Sequence, residues 1–180
     1  MPERTPRFAV YRPRVTPHPV PVQPELTEAK QEDVPHLACL QAHARGGEAS
    51  HWSGRISRAI EDVRGTVVLA RVDGELAGYA HATFLPEHPD DGAPGGHYLT
   101  GVTVAERWRR RGIGAALTHW RMAWAWERAE EVWCFVSVQN QTSRSLHEAL
   151  GFTEVRRAAS LQGVAFDCGE GLLMRAHSPR

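Results

Sequence analysis

Val102-Thr-Val-Ala-Glu-Arg-Trp-Arg109-Arg-Arg-Gly112-Ile-Gly114-Ala-Ala-Leu117 runs from a β-rich segment straight into the most periodic helix of the chain. Ile113, Leu117, Trp120 and Trp124 mark the buried stripe of that helix, which the spacing predicts over residues 109–129. Four arginines, Arg107, Arg109, Arg110 and Arg111, stand where it begins. Cations there oppose the helix macrodipole, at about 0.3–1 kcal/mol each when exposed. Gly112 and Gly114 cost roughly 1 kcal/mol apiece relative to alanine if they are helical. An anion held by the free backbone N–H groups, with the arginines adding charge-assisted bonds, offsets both costs. The bland alternative is a solvated basic turn before a glycine-rich helix start. A P-loop is excluded because Ala115, not lysine, follows Gly114. A dinucleotide fingerprint is excluded because Leu117 stands where its third glycine belongs.

Strand and helix patterns alternate on both sides of this segment. The periodicity predicts a short strand over 26–30, then helices over 33–44 (Val34, Leu37, Leu40, Gln41) and 50–63 (Trp52, Ile56, Ile60). Strands over 66–72 and 75–84 flank Asp73-Gly74, a strong hairpin signal. Residues 86–96, with Glu87, Asp90 and Asp91, read as a loop, and 97–104 as a strand. After the long helix come a strand over 131–138 and a short helix over 142–150 that ends at Gly151. Strands over 152–159 and 169–176 complete the order. Hairpins mixed with crossovers predict an α/β fold on a mixed sheet.

The chain has 180 residues with 21 Lys+Arg against 21 Asp+Glu, one domain of ordinary globular composition. Zero net charge argues against a dedicated nucleic-acid binder. No apolar run approaches the roughly 18 residues of a membrane span, and no apolar stretch follows the N-terminal arginines, so neither membrane nor secretory signal is expected. Cys39, Cys134 and Cys168 are widely spaced, which reads as reduced thiols in a cytoplasmic protein. The histidines form no paired metal spacing, so no metal is expected. Seven of the twelve prolines fall within residues 1–24, which read as an extended arm preceding one domain over 25–180.

Arg109-x-x-Gly112-x-Gly114 resembles the Arg/Gln-x-x-Gly-x-Gly/Ala motif of the Gcn5-related N-acetyltransferase (GNAT) superfamily. Asn140-x-x-Ser143-x-x-Leu146-His147-Glu148-x-Leu150-Gly151-Phe152 is similar to a second signature of that family. The resemblance covers all but the arm. It implies a central mixed sheet of about seven strands flanked by about four helices, with acetyl-CoA held between two splayed parallel strands ending near Val104 and Val138. Backbone groups along Val102, Thr103 and Val104 would pair with the pantetheine arm. Arg109, Arg110, Arg111, Gly112, Ile113, Gly114 and Ala115 would hold the diphosphate, and Asn140 and Ser143 would line the pantetheine. Asn140 also reads as a helix N-cap before Thr142.

The family usually places tyrosine where this chain has His147, to protonate the departing thiolate. An imidazolium near 6.5 gives its proton to a thiolate near 8.5 downhill by about 2.7 kcal/mol, whereas a phenol near 10 donates uphill. Only about a quarter of an unperturbed imidazole is charged at pH 7. His147 is thus a candidate general acid, and its bland alternative is a histidine packed on a short helix. The resemblance implies direct attack by an amine without an acyl-enzyme. Base candidates are His81, Tyr98 and Glu87, while mid-strand Cys134 reads as a small core residue.

The segment from Tyr98-Leu-Thr-Gly-Val through Gly163-Val-Ala-Phe-Asp-x-Gly-Glu-Gly resembles aminoglycoside N-acetyltransferases, which implies a small aminosugar such as kasugamycin as acceptor. Glu87, Tyr98, Asp167 and Glu170, with Asp90 and Asp91, are the candidate acceptor contacts. The alternatives are a protein or peptide N-acetyltransferase and a non-catalytic acyl-CoA-binding regulatory module. Trp120, Trp124 and Trp126 offer more aromatic surface than one buried stripe needs, so a homodimer is expected.

Overall fold

Asp73 and Gly74 take φ of 51° and 79°, the two left-handed residues that a type I′ turn requires. They join β2 (Thr66–Val72) to β3 (Glu75–Leu85) in the hairpin that the Asp-Gly dipeptide predicts. The structure is a computed structural model that describes residues 19–179. All but the last six positions of the Pro-rich arm therefore lie outside the described residues.

β1 (Glu25–Glu28) leads to α1 (Val34–Arg45) and α2 (Ala49–Glu61). After β2 and β3 come β4 (Gly96–Val104), α3 (Ile113–Trp126), β5 (Glu131–Ser137) and α4 (Gln141–Ala149). β6 (Thr153–Ala158), the two-residue strands β7 (Ser160–Leu161) and β8 (Val164–Ala165), and β9 (Gly171–His177) follow. Seven strands form one mixed sheet in the order β1-β2-β3-β4-β5-β9-β6, as expected, and β4 pairs in parallel with β5 over His97↔Val132 and Tyr98↔Trp133.

Two elements depart from the periodicity. α3 begins at Ile113, not at residue 109, because Arg110 and Gly112 take φ of 61° and 88°, which no right-handed helix accommodates. β7 and β8 form a hairpin of their own around Gln162 and Gly163, at φ of 51° and 71°. They are too short to carry a period.

The described residues divide into two compact units. One holds the segment up to Thr83 together with Leu99–Trp124. Its strands alternate between two cores. Val67, Leu69 and Tyr79 pack with Leu37 and Ala38 of α1 and Ile56 of α2. Val68, Ala70 and Ala80 pack with Ile113 and Leu117 of α3, joined by Val22 and Leu26 near the chain's described start. Gln41 fastens α1 to the strands, its Oε1 accepting from the Tyr79 hydroxyl at 2.9 Å and the Thr103 hydroxyl at 2.6 Å.

The other unit holds Phe84–Tyr98 and the segment from Ala125. Its core is aromatic, built from Tyr98, Trp133, Phe135 and Phe166 with Leu161 and Leu173. Cys134 is buried in β5 as expected, and none of the three cysteines is in a disulfide. Among the described residues no helix is long and apolar enough to cross a membrane. Trp124 is buried and Trp120 and Trp126 are half-buried.

Gly78 shows how tightly β3 and β4 approach. A Cβ there would lie 2.7 Å from the Thr103 carbonyl oxygen, whereas a Cβ on Gly54 in α2 would meet nothing within 4 Å. Gly78→Ala is expected to destabilise the fold by about 1–3 kcal/mol, and Gly54→Ala to stabilise it by about 1 kcal/mol. Urea unfolding midpoints of the two variants, moving in opposite directions, check the pair.

Candidate active site

The turn into α3 is built from backbone conformation. Arg109 is extended, Arg110 and Gly112 are left-handed, and the first helical hydrogen bond runs from the Ala116 N–H to the Gly112 carbonyl. Ile113, Gly114 and Ala115 therefore begin the helix with N–H groups that have no intrahelical acceptor. Left-handed residues alternating with ordinary ones turn successive N–H groups to one side, which makes an anion-binding nest. Gly112 has no side chain with which to cap the helix. Arg110, a non-glycine residue in the left-handed region, carries backbone strain here.

The four arginines have different employment. Arg107 pairs with Glu75, and the guanidinium groups of Arg107 and Arg111 lie 5.5 and 5.4 Å from the Trp108 ring centroid. Arg109 Nε donates to the Val104 carbonyl at 3.2 Å, and Arg110 is exposed. The Val22 N–H donates to the Arg111 carbonyl at 3.0 Å, so the end of the Pro-rich segment is tied to the back of the turn. Beside it lies a cavity of about 770 Å³ lined by Cys39, Leu40, His43 and Ala44 of α1 and by Ala105, Glu106, Arg107 and Arg109. Arg109 was expected at the site. The α1 wall was not, because helical spacing marks Cys39 and His43 only as outward-facing.

β4 supplies the second feature. The Ala105 N–H donates to the Ala77 carbonyl at 2.9 Å, which turns the backbone groups of Ala105 and Thr103 toward β3. Strand alternation leaves those of Val102 and Val104 facing away from it. The Thr103 side chain is committed to Gln41. Burial of the His81 imidazole, and behind it the Arg121 guanidinium, push its pKa down to about 4. His81 is therefore neutral at pH 7 and a weak base.

In the other unit, Asn140 Oδ1 accepts from the Ser143 N–H at 3.1 Å and caps α4. The cap uses only the oxygen of that amide; its NH₂ group is a separate donor. His147 is buried, its ring edge-on to Phe152 at 5.1 Å between centroids. His147 Nδ1 lies 2.7 Å from the Ser143 carbonyl, which can only accept, so Nδ1 carries the proton and Nε2 is the basic nitrogen of the neutral ring.

The candidate acceptor residues separate sharply. Glu87, Asp90 and Asp167 are exposed. Glu170 lies 3.6 Å from Arg157. Asp91 is spent internally: its carboxylate accepts from the Gly163 N–H at 2.9 Å and the Ala93 N–H at 3.0 Å. Burial pushes the Asp91 carboxyl up, but the Gly163 and Ala93 N–H groups, with the His88 imidazole and the Gln162 N–H beside them, hold the pKa below its ordinary value. Tyr98 is fully buried and its hydroxyl donates to the Pro94 carbonyl at 2.6 Å. That corrects the expectation that strand alternation turns Tyr98 toward a substrate: its ring belongs to the aromatic core.

A helix start that withholds side-chain caps, follows a strand with outward backbone groups and carries fixed arginines suits a ligand bearing a diphosphate. The chain belongs to the acetyltransferase (GNAT) family, whose family model matches residues 26–152. It is 32% identical over 108 residues to an N-alpha-acetyltransferase of Sulfurisphaera tokodaii, a match spanning 54% of this chain and 62% of that relative. The match thus covers less than two thirds of the curated relative's length. Among solved structures it is similar to an aminoglycoside antibiotic 6′-N-acetyltransferase from Acinetobacter baumannii (TM-score 0.65, 20% identity, 77% of this chain and 97% of that one). It is also similar to a phosphinothricin acetyltransferase from Sinorhizobium meliloti solved in complex with AcCoA (TM-score 0.67, 17% identity, 87% and 89%). At these identities the two structures establish the shared fold.

Two outcomes are expected. Gly112→Val, which forces a branched residue to φ of 88°, should abolish coenzyme A binding measured by calorimetry while the chain stays folded. For His81, the unfolded imidazole near 6.5 binds more protons than the folded one near 4, so stability falls as pH drops from about 6.5 to about 4. His81→Asn should flatten that part of the pH dependence, read from unfolding free energies at several pH values.

Proposed function

We propose that this chain moves an acetyl group from acetyl-CoA to a primary amine, and that the amine belongs to an aminosugar of the aminoglycoside type. The observation that carries the transferase reading is the left-handed pair Arg110 and Gly112 at the start of α3, which leaves backbone N–H groups for the cofactor's diphosphate. Val102 and Val104 offer main-chain partners to the pantetheine arm, and the family motif assigns Asn140 and Ser143 to the same arm. The acetyl carbon passes from sulfur to nitrogen, with one proton leaving the ammonium and one reaching the released thiolate.

His147 Nε2 is the atom assigned to that second proton. The Nδ1–H bond to the Ser143 carbonyl fixes the tautomer and leaves Nε2 as the position that takes up and returns a proton. The aminosugar assignment is supported by the resemblance of the segment beginning at Tyr98 to aminoglycoside N-acetyltransferases. It is supported also by exposed Glu87, Asp90 and Asp167, which suit a polycation. A second reading, acetylation of a peptide α-amine, is favoured by the Sulfurisphaera tokodaii relative.

Thiol release from acetyl-CoA, followed with aminoglycosides and with short peptides, tests both. Acceleration by the aminosugars supports the first reading, and acceleration by peptides alone supports the second. Coenzyme A binding with no acceleration by any amine would mean a binding module without turnover. His147→Ala should lower kcat by about 10²-fold while the dissociation constant for acetyl-CoA stays near the wild-type value; an unchanged kcat would remove the proton-donor role.

A further inference from the structure

Arg121 is a charged side chain placed where α3 meets the core, and it is fully buried. An arginine in that position is costly unless its donors are satisfied. Nε donates to the Leu117 carbonyl at 3.2 Å and one terminal nitrogen to the Thr118 hydroxyl at 3.1 Å. The other terminal nitrogen reaches two strands at once, donating to the His81 carbonyl of β3 at 2.7 Å and lying 3.5 Å from the Thr100 carbonyl of β4. The Thr118 hydroxyl in turn donates to the Gly114 carbonyl at 2.8 Å, inside the turn that opens α3. One guanidinium thus connects the helix start to the middle of β4.

Thr100 is followed by Gly101, whose φ of 58° puts a left-handed residue inside a strand. Such a residue bends the strand and takes its carbonyls out of regular pairing. Gly101 has open space around its Cβ position, so the requirement there is conformational, not steric. A second contact steadies the same place: the Thr83 and Thr100 hydroxyls lie 3.0 Å apart. The bend comes immediately before Val102, the first of the backbone positions assigned to the pantetheine arm.

We infer that Arg121 is a positioning residue for the cofactor strand: by holding the His81 and Thr100 carbonyls it fixes the bend at Gly101, and so the aim of the Val102 and Val104 backbone groups. The inference rests on the acetyl-CoA reading above. Arg121 touches neither cofactor nor acceptor; it acts through β4.

The test compares two ligands on folded protein. Coenzyme A uses both the helix start and β4, whereas 3′,5′-adenosine diphosphate has no pantetheine and serves as the control. Arg121→Met keeps much of the side-chain volume and removes the fork of donors. It should weaken coenzyme A binding by about tenfold or more, the worth of one or two lost backbone hydrogen bonds, with 3′,5′-adenosine diphosphate within about twofold. In turnover, KM for acetyl-CoA should rise much more than kcat falls. Because Arg121→Met is at risk of not folding, Gly101→Ala, which disturbs the same bend from an open surface position, should shift coenzyme A affinity in the same direction. Coenzyme A affinity unchanged in Gly101→Ala or in folded Arg121→Met overturns the inference. Equal weakening of both ligands overturns it too, since that marks a general loss of structure. Failure of the wild-type chain to bind either ligand instead removes the acetyl-CoA reading, and the inference with it.

Discussion

Everything distinctive in this chain depends on how α3 begins. A helix needs partners for its first N–H groups, and the protein knows how to supply one from a side chain. At α4 it places Asn140 as N-cap, and Asn140 Oδ1 takes the Ser143 N–H. At α3 the corresponding position is Gly112, which has no side-chain acceptor, and the residues before it are cations that oppose the dipole. Two helices in one fold solve the same problem in opposite ways. The difference is intelligible if α4 needs a stable end and α3 needs an end left open for an anion.

Keeping that end open has structural consequences that spread outward. Arg110 occupies a left-handed conformation that is unfavourable without glycine, so neighbouring contacts must hold it there. Trp108 does so from one side, packed into the α3-facing core and flanked by the guanidinium groups of Arg107 and Arg111. The Val22 N–H does so from another, bonded to the Arg111 carbonyl. The strained turn is braced on each flank, which is what preorganisation of a backbone site requires.

The sequence was informative where the cause is local. Asp73-Gly74 announces its own turn, and Arg109-x-x-Gly112-x-Gly114 marks a helix start with no side-chain cap, which needs no distant partner. The same local logic was available at Gln162-Gly163, but two-residue strands carry no period to flag it. Periodicity places the start of α3 four residues too early because it does not report φ, and only the left-handed Arg110 and Gly112 exclude residues 109–112 from the helix. Tyr98 departs from expectation for a different reason. Alternation tells which face a strand residue takes, but not that Pro94 will offer a carbonyl to its hydroxyl. The placement of Arg121 is not legible in the sequence, since it donates to the main-chain carbonyls of Leu117, His81 and Thr100, and those have no sequence signature.

On the proposed aminosugar reading, the acidic loop between β3 and β4 constrains how an acceptor would be chosen. Its carboxylates do not act as one patch. Asp91 is committed to the Gly163 and Ala93 N–H groups, the Arg156 guanidinium donates to the Asp91 carbonyl at 2.8 Å, and the Gln162 amide donates to the Pro86 and Pro94 carbonyls at 3.1 Å each. The loop is therefore stapled to the β7–β8 hairpin by Gly163 and Gln162 and to β6 by Arg156. The carboxylates left to solvent, Glu87 and Asp90, are screened, and each is worth little as a lone attraction. Charge alone would give weak, salt-sensitive preference for any polycation. On that reading discrimination among amines would come instead from the fixed spacing of those carboxylates on a stapled loop, because a rigid array rewards one arrangement of amino groups and a mobile one rewards them all.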